Sequence, residues 1–206
     1  MTAVPGPTAV CVFCASSEAI DPRHVAVAAA VGSEVAARGW LLVSGGGSVS
    51  SMGAVARAAR AGGARTVGVI PAALVALEVA DHDADELVVT DDMRARKGLM
   101  DARADAFLVL AGGLGTLEEL LEAWVARSLG LHRKPVVVLD PDGVFAPLRR
   151  QVDELRAAGF VRPQALDSLT WTTTVAQAFA AIDAGLGAAA PAVAPPVPEE
   201  WLEAEP

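Results

Sequence analysis

The chain has 206 residues, of which 53% are hydrophobic and 20% charged, a size that fits one α/β domain with a large buried core. Its net charge of -9 at pH 7 excludes a general attraction to the phosphate backbone of DNA or RNA, so no nucleic acid is expected as a partner. The N-terminus lacks a basic region followed by an apolar run, and no apolar stretch reaches the roughly 20 residues of a membrane span, which predicts a cytoplasmic protein without a membrane partner.

Short apolar runs alternate with amphipathic segments along the chain, a pattern typical of repeated βαβ units around a parallel sheet. Seven strands are predicted, over residues 10–13, 40–43, 66–70, 86–89, 106–110, 135–139 and 168–171. Six helices are predicted, over residues 22–38, 52–61, 92–103, 117–129, 144–158 and 175–184. The predicted fold is a three-layer α/β fold, with a Rossmann-like open parallel sheet of about seven strands and helices on both faces.

Three segments fall outside this alternation. Residues 71–85 are weakly periodic and end in DHDAD, so an irregular or partly helical excursion is predicted there. Residues 1–8 and 187–206 are rich in proline, alanine and glycine, which predicts disordered tails on either side of one domain over residues 9–186.

The two cysteines, Cys11 and Cys14, have C-x-x-C spacing within AVCVFCA. This stretch reads as a buried strand, in which a cysteine serves as a small hydrophobic residue. Residues three apart on a strand face opposite sides, and no second cysteine pair completes a metal site. Both cysteines are therefore expected to be structural, and no metal is expected.

Two loops at predicted strand ends are rich in glycine. SGGGSVSSMG, residues 44–53, follows the strand WLLV, and AGGLGT, residues 111–116, follows AFLVL. Glycine allows close approach of the backbone, and the next helix presents free N–H groups with partial positive charge, so each loop suits an anion. Neither loop matches the P-loop or the dinucleotide pattern G-x-G-x-x-G, which favours the phosphate of a mononucleotide. The alternative is that the glycines only let the chain turn.

Between these loops, DDMRARKGLMDARADAF concentrates Arg94, Arg96, Lys97 and Arg103 within an acidic protein. On a helix, Arg96 and Arg103 share one face and Lys97 lies on another. A charge run of this kind is usually a solvated face, and the alternative is a source of positive charge for an anion site.

The second glycine loop leads into TLEE, which fits a capping box with Thr116 as the N-cap residue and Glu119 at position N3. Glu119 projects away from the apolar stripe of the predicted helix, so it is not expected in the core. Position N3 favours an ionised carboxylate by about 0.3–1 kcal/mol. Because a carboxylate and a phosphate at one helix end repel each other, the cations Arg96 and Lys97 are expected nearby. Glu119 is either a helix cap, a functional carboxylate or both.

Five motifs, taken in order, resemble the LOG (Lonely Guy) family of cytokinin riboside 5′-monophosphate phosphoribohydrolases, often labelled lysine decarboxylases. They are VFCASS (12–17), SGGGSVSSMG (44–53), GVIP (68–71), MRARKGLM (93–100) and AGGLGTLEELLE (111–122). The resemblance implies hydrolysis of the N-glycosidic bond of a cytokinin (N6-substituted adenosine) 5′-monophosphate, releasing free base and ribose 5-phosphate. It also implies a homodimer, and it implies neither a cofactor nor a metal.

The family signatures P-G-G-x-G-T-x-x-E and M-H-E-R-K assign the site residues. The implied catalytic pair is Arg96 and Glu119. The implied residues for substrate and phosphate binding are Gly45, Gly46, Gly47, Ser48, Met93, Lys97, Gly112, Gly113, Gly115, Thr116 and Glu118. Four positions depart from the family pattern: Ala111 replaces a proline, Arg94 a histidine, Ala95 a glutamate and Ser50 a glycine.

Alternative functions follow from the same residues. One is a broader AMP or purine nucleotide nucleosidase, because the sequence defines no pocket for a prenyl group. Another is a nucleotide or cofactor carrier of the same fold that does not hydrolyse its ligand. Lysine decarboxylation would need Lys97 as a Schiff-base lysine, and no pyridoxal-phosphate context accompanies it. The glycine pattern also disfavours an NAD-linked dehydrogenase. His24, His82 and His132 are expected to be ordinary surface or loop residues.

Overall fold

The structure, a computed structural model, describes residues 6–75 and 80–188. Within these residues the strands are β1 (Ala9–Phe13), β2 (Leu41–Ser44), β3 (Thr66–Pro71), β4 (Glu86–Thr90), β5 (Ala106–Val109), β6 (Val136–Leu139) and β7 (Thr170–Thr172). They form one sheet in the order β4-β3-β2-β1-β5-β6-β7. Every neighbouring pair is parallel. The predicted open parallel sheet of seven strands is confirmed.

Helices cover both faces of this sheet. They are α1 (Pro22–Ala37), α2 (Ser50–Ala61), α3 (Ala72–Val75), α4 (Met93–Arg103), α5 (Leu114–Ser128), α6 (Ala146–Ala157), α7 (Pro163–Leu166) and α8 (Val175–Ala188). One face packs on α1, α2 and α8, and the other packs mainly on α4 and α5. The strands are apolar on both faces because both are covered, as a parallel sheet requires. The three-layer prediction is therefore confirmed.

The six predicted helices all form, and two short ones are additional. α3 lies within the predicted excursion at residues 71–85, of which residues 76–79 lie outside the described residues. α7 connects α6 to β7. Of the predicted tails, residues 1–5 and 189–206 also lie outside the described residues, whereas residues 187 and 188 belong to α8.

The two cysteines confirm the alternation of side chains along β1. Cys11 packs in the apolar cluster on the α4 and α5 face, whereas Cys14, just after the strand, packs in the cluster on the α1 and α2 face. Both are buried free thiols.

Among the described residues, no helix is long and apolar enough to cross a membrane.

The chain order creates a crevice beside β1. From β1 the chain proceeds outward on one side to β4 and then returns to β5 on the other side of β1. The helices that follow these two strands, α1 and α5, lie on opposite faces of the sheet. The loops after β1 and β5 therefore separate at the carboxyl edge, where open α/β sheets usually bind ligands.

Candidate active site

A cavity of about 410 Å³ lies at this crevice. Its wall is formed by Cys14, Ala15, Ser16, Ser17, Ile20, His24, Met52, Arg96, Ala111, Gly112, Gly113, Leu114, Gly115, Thr116, Glu119 and Val144. Six residues that the sequence assigned to the site are among them: Arg96, Gly112, Gly113, Gly115, Thr116 and Glu119. The two implied catalytic residues and most of the second glycine loop therefore share one cavity.

Arg96 and Glu119 form a buried ion pair in the cavity wall. Arg96 is 5% exposed and Glu119 is 8% exposed. Arg96 Nη1 donates to Glu119 Oε1 at 3.3 Å. The other guanidinium nitrogens donate to main-chain oxygens, Nε to Val69 at 3.0 Å and Nη2 to Gly45 at 3.4 Å. Arg96 is thus not on a solvated cationic face: it is fixed by the end of β3 and the first glycine loop, and its fixed guanidinium orients the carboxylate.

The predicted capping box is wrong. Helix α5 begins at Leu114 with Gly113 as its N-cap residue, so Thr116 is the third helical residue and Glu119 the sixth. Gly113 has extended backbone angles and Gly112 packs tightly against Thr116, where an added Cβ would lie 2.1 Å from Thr116 Oγ1. The paired glycines therefore let the helix start earlier than a threonine cap would. Glu119 lies in the second turn and is held by Arg96, not by the helix N-terminus.

The early helix start leaves the first turn of α5 facing the cavity. Leu114, Gly115 and Thr116 line the wall, and the first N–H groups of a helix lack partners within the helix. Together with the helix dipole, these groups favour an anion. This end of the cavity suits a phosphate, as predicted for the second glycine loop.

The first glycine loop has a different position. An added Cβ on Gly45 would lie 2.1 Å from Arg96 Nη2, so a glycine is required for Arg96 to reach the loop backbone. Gly46 O accepts from Asp81 N at 2.8 Å, and Gly47 N donates to Met52 Sδ at 3.0 Å. Gly45, Gly46, Gly47 and Ser48 are not among the residues that line the cavity. The described contacts show this loop positioning Arg96, and its assignment to phosphate stays a prediction.

Lys97 and Glu118 bind each other outside the cavity wall. Lys97 Nζ contacts the carboxylates of Glu118 and Glu122, the second at 2.7 Å. Hydrogen bonds that Lys97 donates to Glu118, and secondly to Glu122, raise the pKa of Lys97. A Schiff-base lysine needs a lowered pKa, so this environment does not suit that chemistry. Met93, also assigned to the substrate, is 42% exposed, with its sulfur 3.9 Å from Arg96 Nη1. The substrate roles of these residues stay predictions.

Cys14 contributes a neutral thiol to the cavity wall. Burial, with a further contribution from the Glu119 carboxylate, raises the pKa of Cys14 well above the usual value for a thiol. A thiolate is the nucleophilic form of cysteine, so Cys14 is not suited to attack a substrate. Its place in the site agrees with the structural role predicted for it.

His24 is a site residue that the sequence interpretation missed. Expected to be an ordinary surface or loop residue, it lines the cavity with its side chain 15% exposed. Its Nδ1 lies 3.6 Å from Asp142 Oδ2, because the first turn of α1 packs beside the loop after β6. No motif marks either residue. Ser16 and Ser17 also line the cavity, and their place directly after β1 was a usable signal.

Ser50, which replaces a family glycine, ties two loops together in a strained conformation. Its φ is 52°, and its hydroxyl donates to Ser17 O at 2.6 Å. Met52 N donates to Ala15 O at 3.2 Å, so the start of α2 holds the 15–17 segment of the cavity wall at two points. Ser50 therefore adds a side-chain hydrogen bond to the cavity wall, but its left-handed backbone conformation is unfavourable for a residue other than glycine.

Two substitutions separate the strain at Ser50 from its hydrogen bond. Both Ser50→Gly and Ser50→Ala lose the bond to Ser17, but only glycine accepts positive φ without strain. The glycine variant should therefore have the higher free energy of unfolding, by about 1 kcal/mol in urea denaturation. The order should reverse at Ser33 within α1, where alanine is the better helix former. The same order at both positions would contradict the strain at Ser50.

Comparisons with known proteins identify the family of the chain. The family model described as "Possible lysine decarboxylase" matches residues 52–182. The cytokinin riboside 5′-monophosphate phosphoribohydrolase of Mycobacterium tuberculosis is 51% identical over 181 residues, covering 86% of this chain and 95% of the relative. The Mycobacterium marinum protein of the same name is 54% identical over 165 residues, covering 80% of this chain and 88% of the relative.

Among solved structures, the molybdenum cofactor carrier protein from Chlamydomonas reinhardtii superposes with a TM-score of 0.67 at 23% identity, covering 88% of this chain and 99% of that chain. This likeness supports the fold alone. The family match and the two mycobacterial relatives carry the assignment that the motifs predicted. The chain belongs to the LOG family of cytokinin riboside 5′-monophosphate phosphoribohydrolases.

Proposed function

We propose that the protein hydrolyses the N-glycosidic bond of cytokinin riboside 5′-monophosphates, which are N6-substituted adenosine monophosphates, and releases the free base and ribose 5-phosphate. The observation that carries the proposal is the buried Glu119 carboxylate, fixed by Arg96 in a cavity that the start of α5 also lines. The names of the mycobacterial relatives support the same reaction.

Glu119 is the group that acts on the reacting bond. As the bond from the ribose C1′ to the base breaks, positive charge develops on the sugar, and a fixed carboxylate stabilises that charge. Glu119 also orients a water whose oxygen bonds to C1′ while the bonding electrons leave with the base. One proton of this water passes to the base and the hydroxyl remains on the ribose, so atoms and charge balance.

Arg96 acts on Glu119 rather than on the base. Three guanidinium nitrogens are directed to Glu119, Val69 and Gly45, which fixes the guanidinium within the protein. A buried carboxylate needs a paired cation to remain ionised, and Arg96 supplies one without losing its own proton. The role proposed for Arg96 is to keep Glu119 charged and correctly oriented.

The phosphate of the substrate occupies the first turn of α5. The free amides of residues 114–116 and the Thr116 hydroxyl supply donors there, and the helix dipole supplies favourable charge. Glu119 is one turn further along the helix, which separates the carboxylate from the phosphate and limits the repulsion between them. The glycines at 112, 113 and 115 allow the phosphate to approach the backbone.

Release of ribose 5-phosphate from AMP and from N6-prenyl-AMP tests this function. Faster turnover of the prenylated nucleotide supports the cytokinin substrate. Equal turnover of the two nucleotides would replace it with a broad AMP nucleosidase. Tight binding of either nucleotide without ribose 5-phosphate release would replace the enzyme with a carrier protein and overturn the proposal.

We also propose that the protein is a homodimer. An exposed apolar surface supports it, formed by Leu121 and Val125 of α5, by its C-cap residue Leu129 and by Phe160 after α6, with exposures of 41%, 52%, 68% and 80%. Part of the apolar stripe predicted for α5 is therefore on the surface instead of in the core. A contiguous apolar surface of this kind usually marks an interface.

Val125→Glu should shift the protein from dimer to monomer, because it places a charge at the centre of this surface. Sedimentation velocity measures the change. The matched control is Val89→Glu on the edge strand β4, where the valine is 54% exposed, close to the 52% of Val125. A protein that is a monomer before substitution, or a dimer unaffected by Val125→Glu, would contradict the assignment of this surface.

The same proposal includes one catalytic domain over residues 9–186 and a cytoplasmic location. Fractionation of cells that produce the full chain tests the location, and recovery in a membrane or secreted fraction would refute it.

A further inference from the structure

Positive charge is scarce in the candidate cavity. Among the residues that line it, only Arg96 and His24 have side chains that can carry positive charge. The Arg96 guanidinium is directed to Glu119, Val69 and Gly45. Lys97, the other cation assigned from the sequence, pairs with Glu118 and Glu122 outside the wall. His24 is therefore the cavity residue whose charge is not directed to Glu119.

The position of His24 suits a ligand at the second glycine loop. Its ring lines both the main cavity and a small adjoining cleft that also contains Ala111, the first residue of that loop. Its Nδ1 lies 3.6 Å from Asp142 Oδ2, which is an ion-pair distance, so Nδ1 faces Asp142 and Nε2 is the ring nitrogen left for another partner.

We propose that His24, oriented by Asp142, is a phosphate-binding residue that contacts the phosphomonoester of the substrate as an imidazolium. This inference rests on the proposed function and identifies the side chain that distinguishes a nucleoside monophosphate from a nucleoside. His24 supplies a charge-assisted hydrogen bond in addition to the neutral amides of α5. The negative charge of Asp142 stabilises the cation while the phosphate is bound.

The other charged groups around His24 have partners within the protein. Arg23 is on the same helix, and its Nη1 lies 3.8 Å from Asp142 Oδ1. The positive charge of Arg23 partly offsets the negative charge of that carboxylate. Asp140, which shares the adjoining cleft, accepts from the amides of Val144 and Phe145. Across the cavity, Arg96 and Glu119 neutralise each other as a pair.

In this arrangement, the contribution of His24 to phosphate binding depends on pH. Histidine side chains usually lose their positive charge between pH 5 and 8, so a contribution from an imidazolium should be greater at the lower pH. The negative charge of the phosphomonoester changes in the opposite way, because its second proton dissociates at about pH 6 and the charge increases as pH rises. The difference between the natural protein and a variant without the imidazole isolates the part due to His24.

Calorimetric titration with ribose 5-phosphate and with adenosine tests the proposal. Affinities are measured at about pH 5 and about pH 8, between which histidine side chains usually change charge. His24→Gln should weaken ribose 5-phosphate binding about tenfold at the lower pH and much less at the higher pH. Adenosine, which lacks the phosphate, should bind both proteins equally. His82→Gln, which removes an exposed histidine outside the cavity, is the matched control.

Asp142→Asn provides a second variant that keeps the imidazole. It should give a smaller loss of ribose 5-phosphate affinity, again greater at the lower pH. The proposal is overturned if His24→Gln leaves ribose 5-phosphate affinity unchanged at the lower pH, if both pH values show the same loss, or if adenosine binding falls equally.

The proposed function is measured separately as AMP and prenyl-AMP turnover. Turnover with a pH-independent His24→Gln effect would refute only the phosphate-binding role. Binding that depends on His24, without turnover of either nucleotide, would refute only the hydrolase.

Discussion

Glu119→Gln should lower the rate of ribose 5-phosphate release by a factor of about 10²–10³ or more, because it removes only the charge that stabilises the developing cation. Glutamine keeps the shape of the side chain and an oxygen that can still accept from Arg96 Nη1. Affinity for ribose 5-phosphate should therefore change little. The free energy of unfolding should fall by about 1–3 kcal/mol, since a buried charged hydrogen bond becomes a weaker one.

The control for this experiment is Glu122→Gln, on the same helix and bonded to Lys97 at the surface. It removes the same charge outside the cavity, so turnover should remain close to that of the natural protein. If Glu119→Gln folds and retains turnover similar to that of Glu122→Gln, Glu119 is structural and the proposed mechanism is wrong.

Arg96→Met should have the largest effect on stability. It removes one partner of a buried ion pair, and such a loss costs about 3–5 kcal/mol in the free energy of unfolding. Turnover should fall with it, because the carboxylate loses its orientation. Arg96→Lys should be more stable than Arg96→Met because it keeps a positive charge. It should not restore all three contacts, to Glu119, Val69 and Gly45, since an ammonium cannot reproduce the fixed geometry of a guanidinium. Urea denaturation and turnover measured on each variant give both quantities.

Arg103→Met is the matched control because Arg103 is on the same helix and pairs with Glu86 at the surface at 2.6 Å. Loss of a partly exposed pair should cost less than about 1 kcal/mol. The double variant Arg96→Met with Glu119→Gln should be less destabilised than the sum of the two single changes, since it leaves no unpaired charge. Additive costs would show that Arg96 and Glu119 do not depend on each other.

The parts of the fold that follow from local pattern could be predicted from the sequence. Six of the seven strands are short apolar runs, and each of the six longer helices has a periodic apolar face. The exception is β7, which reads Thr-Trp-Thr. The short helix α7 was not predicted because four residues are too few to show a period, and the equally short α3 was predicted only as part of an irregular or partly helical segment. The start of α5 was misplaced because TLEE fits a cap well, whereas the observed start depends on how Gly112 packs against Thr116.

The site residues also divide into those that a local sequence pattern marks and those that only tertiary packing brings together. Arg96 and Glu119 were predicted because they belong to motifs, although their burial and mutual contact are tertiary facts. The first glycine loop looked equivalent to the second, but its backbone oxygen receives Arg96, a residue 51 positions away. His24 and Asp142 meet only because α1 packs beside the loop after β6, and no local pattern marks that contact.

The start of α5 at Leu114 also has a consequence for substrate length. Phosphate donors and the carboxylate belong to one rigid helix, and five residues from Leu114 to Glu119 correspond to about 7.5 Å along its axis. In the proposed binding mode, the phosphate lies at one end of this distance and the cleaved bond lies opposite the carboxylate at the other. A nucleotide with its phosphate on another ribose carbon, or with a second phosphate in the chain, would then place C1′ away from Glu119. The proposal therefore predicts that the helix register selects for one phosphate at the 5′ position.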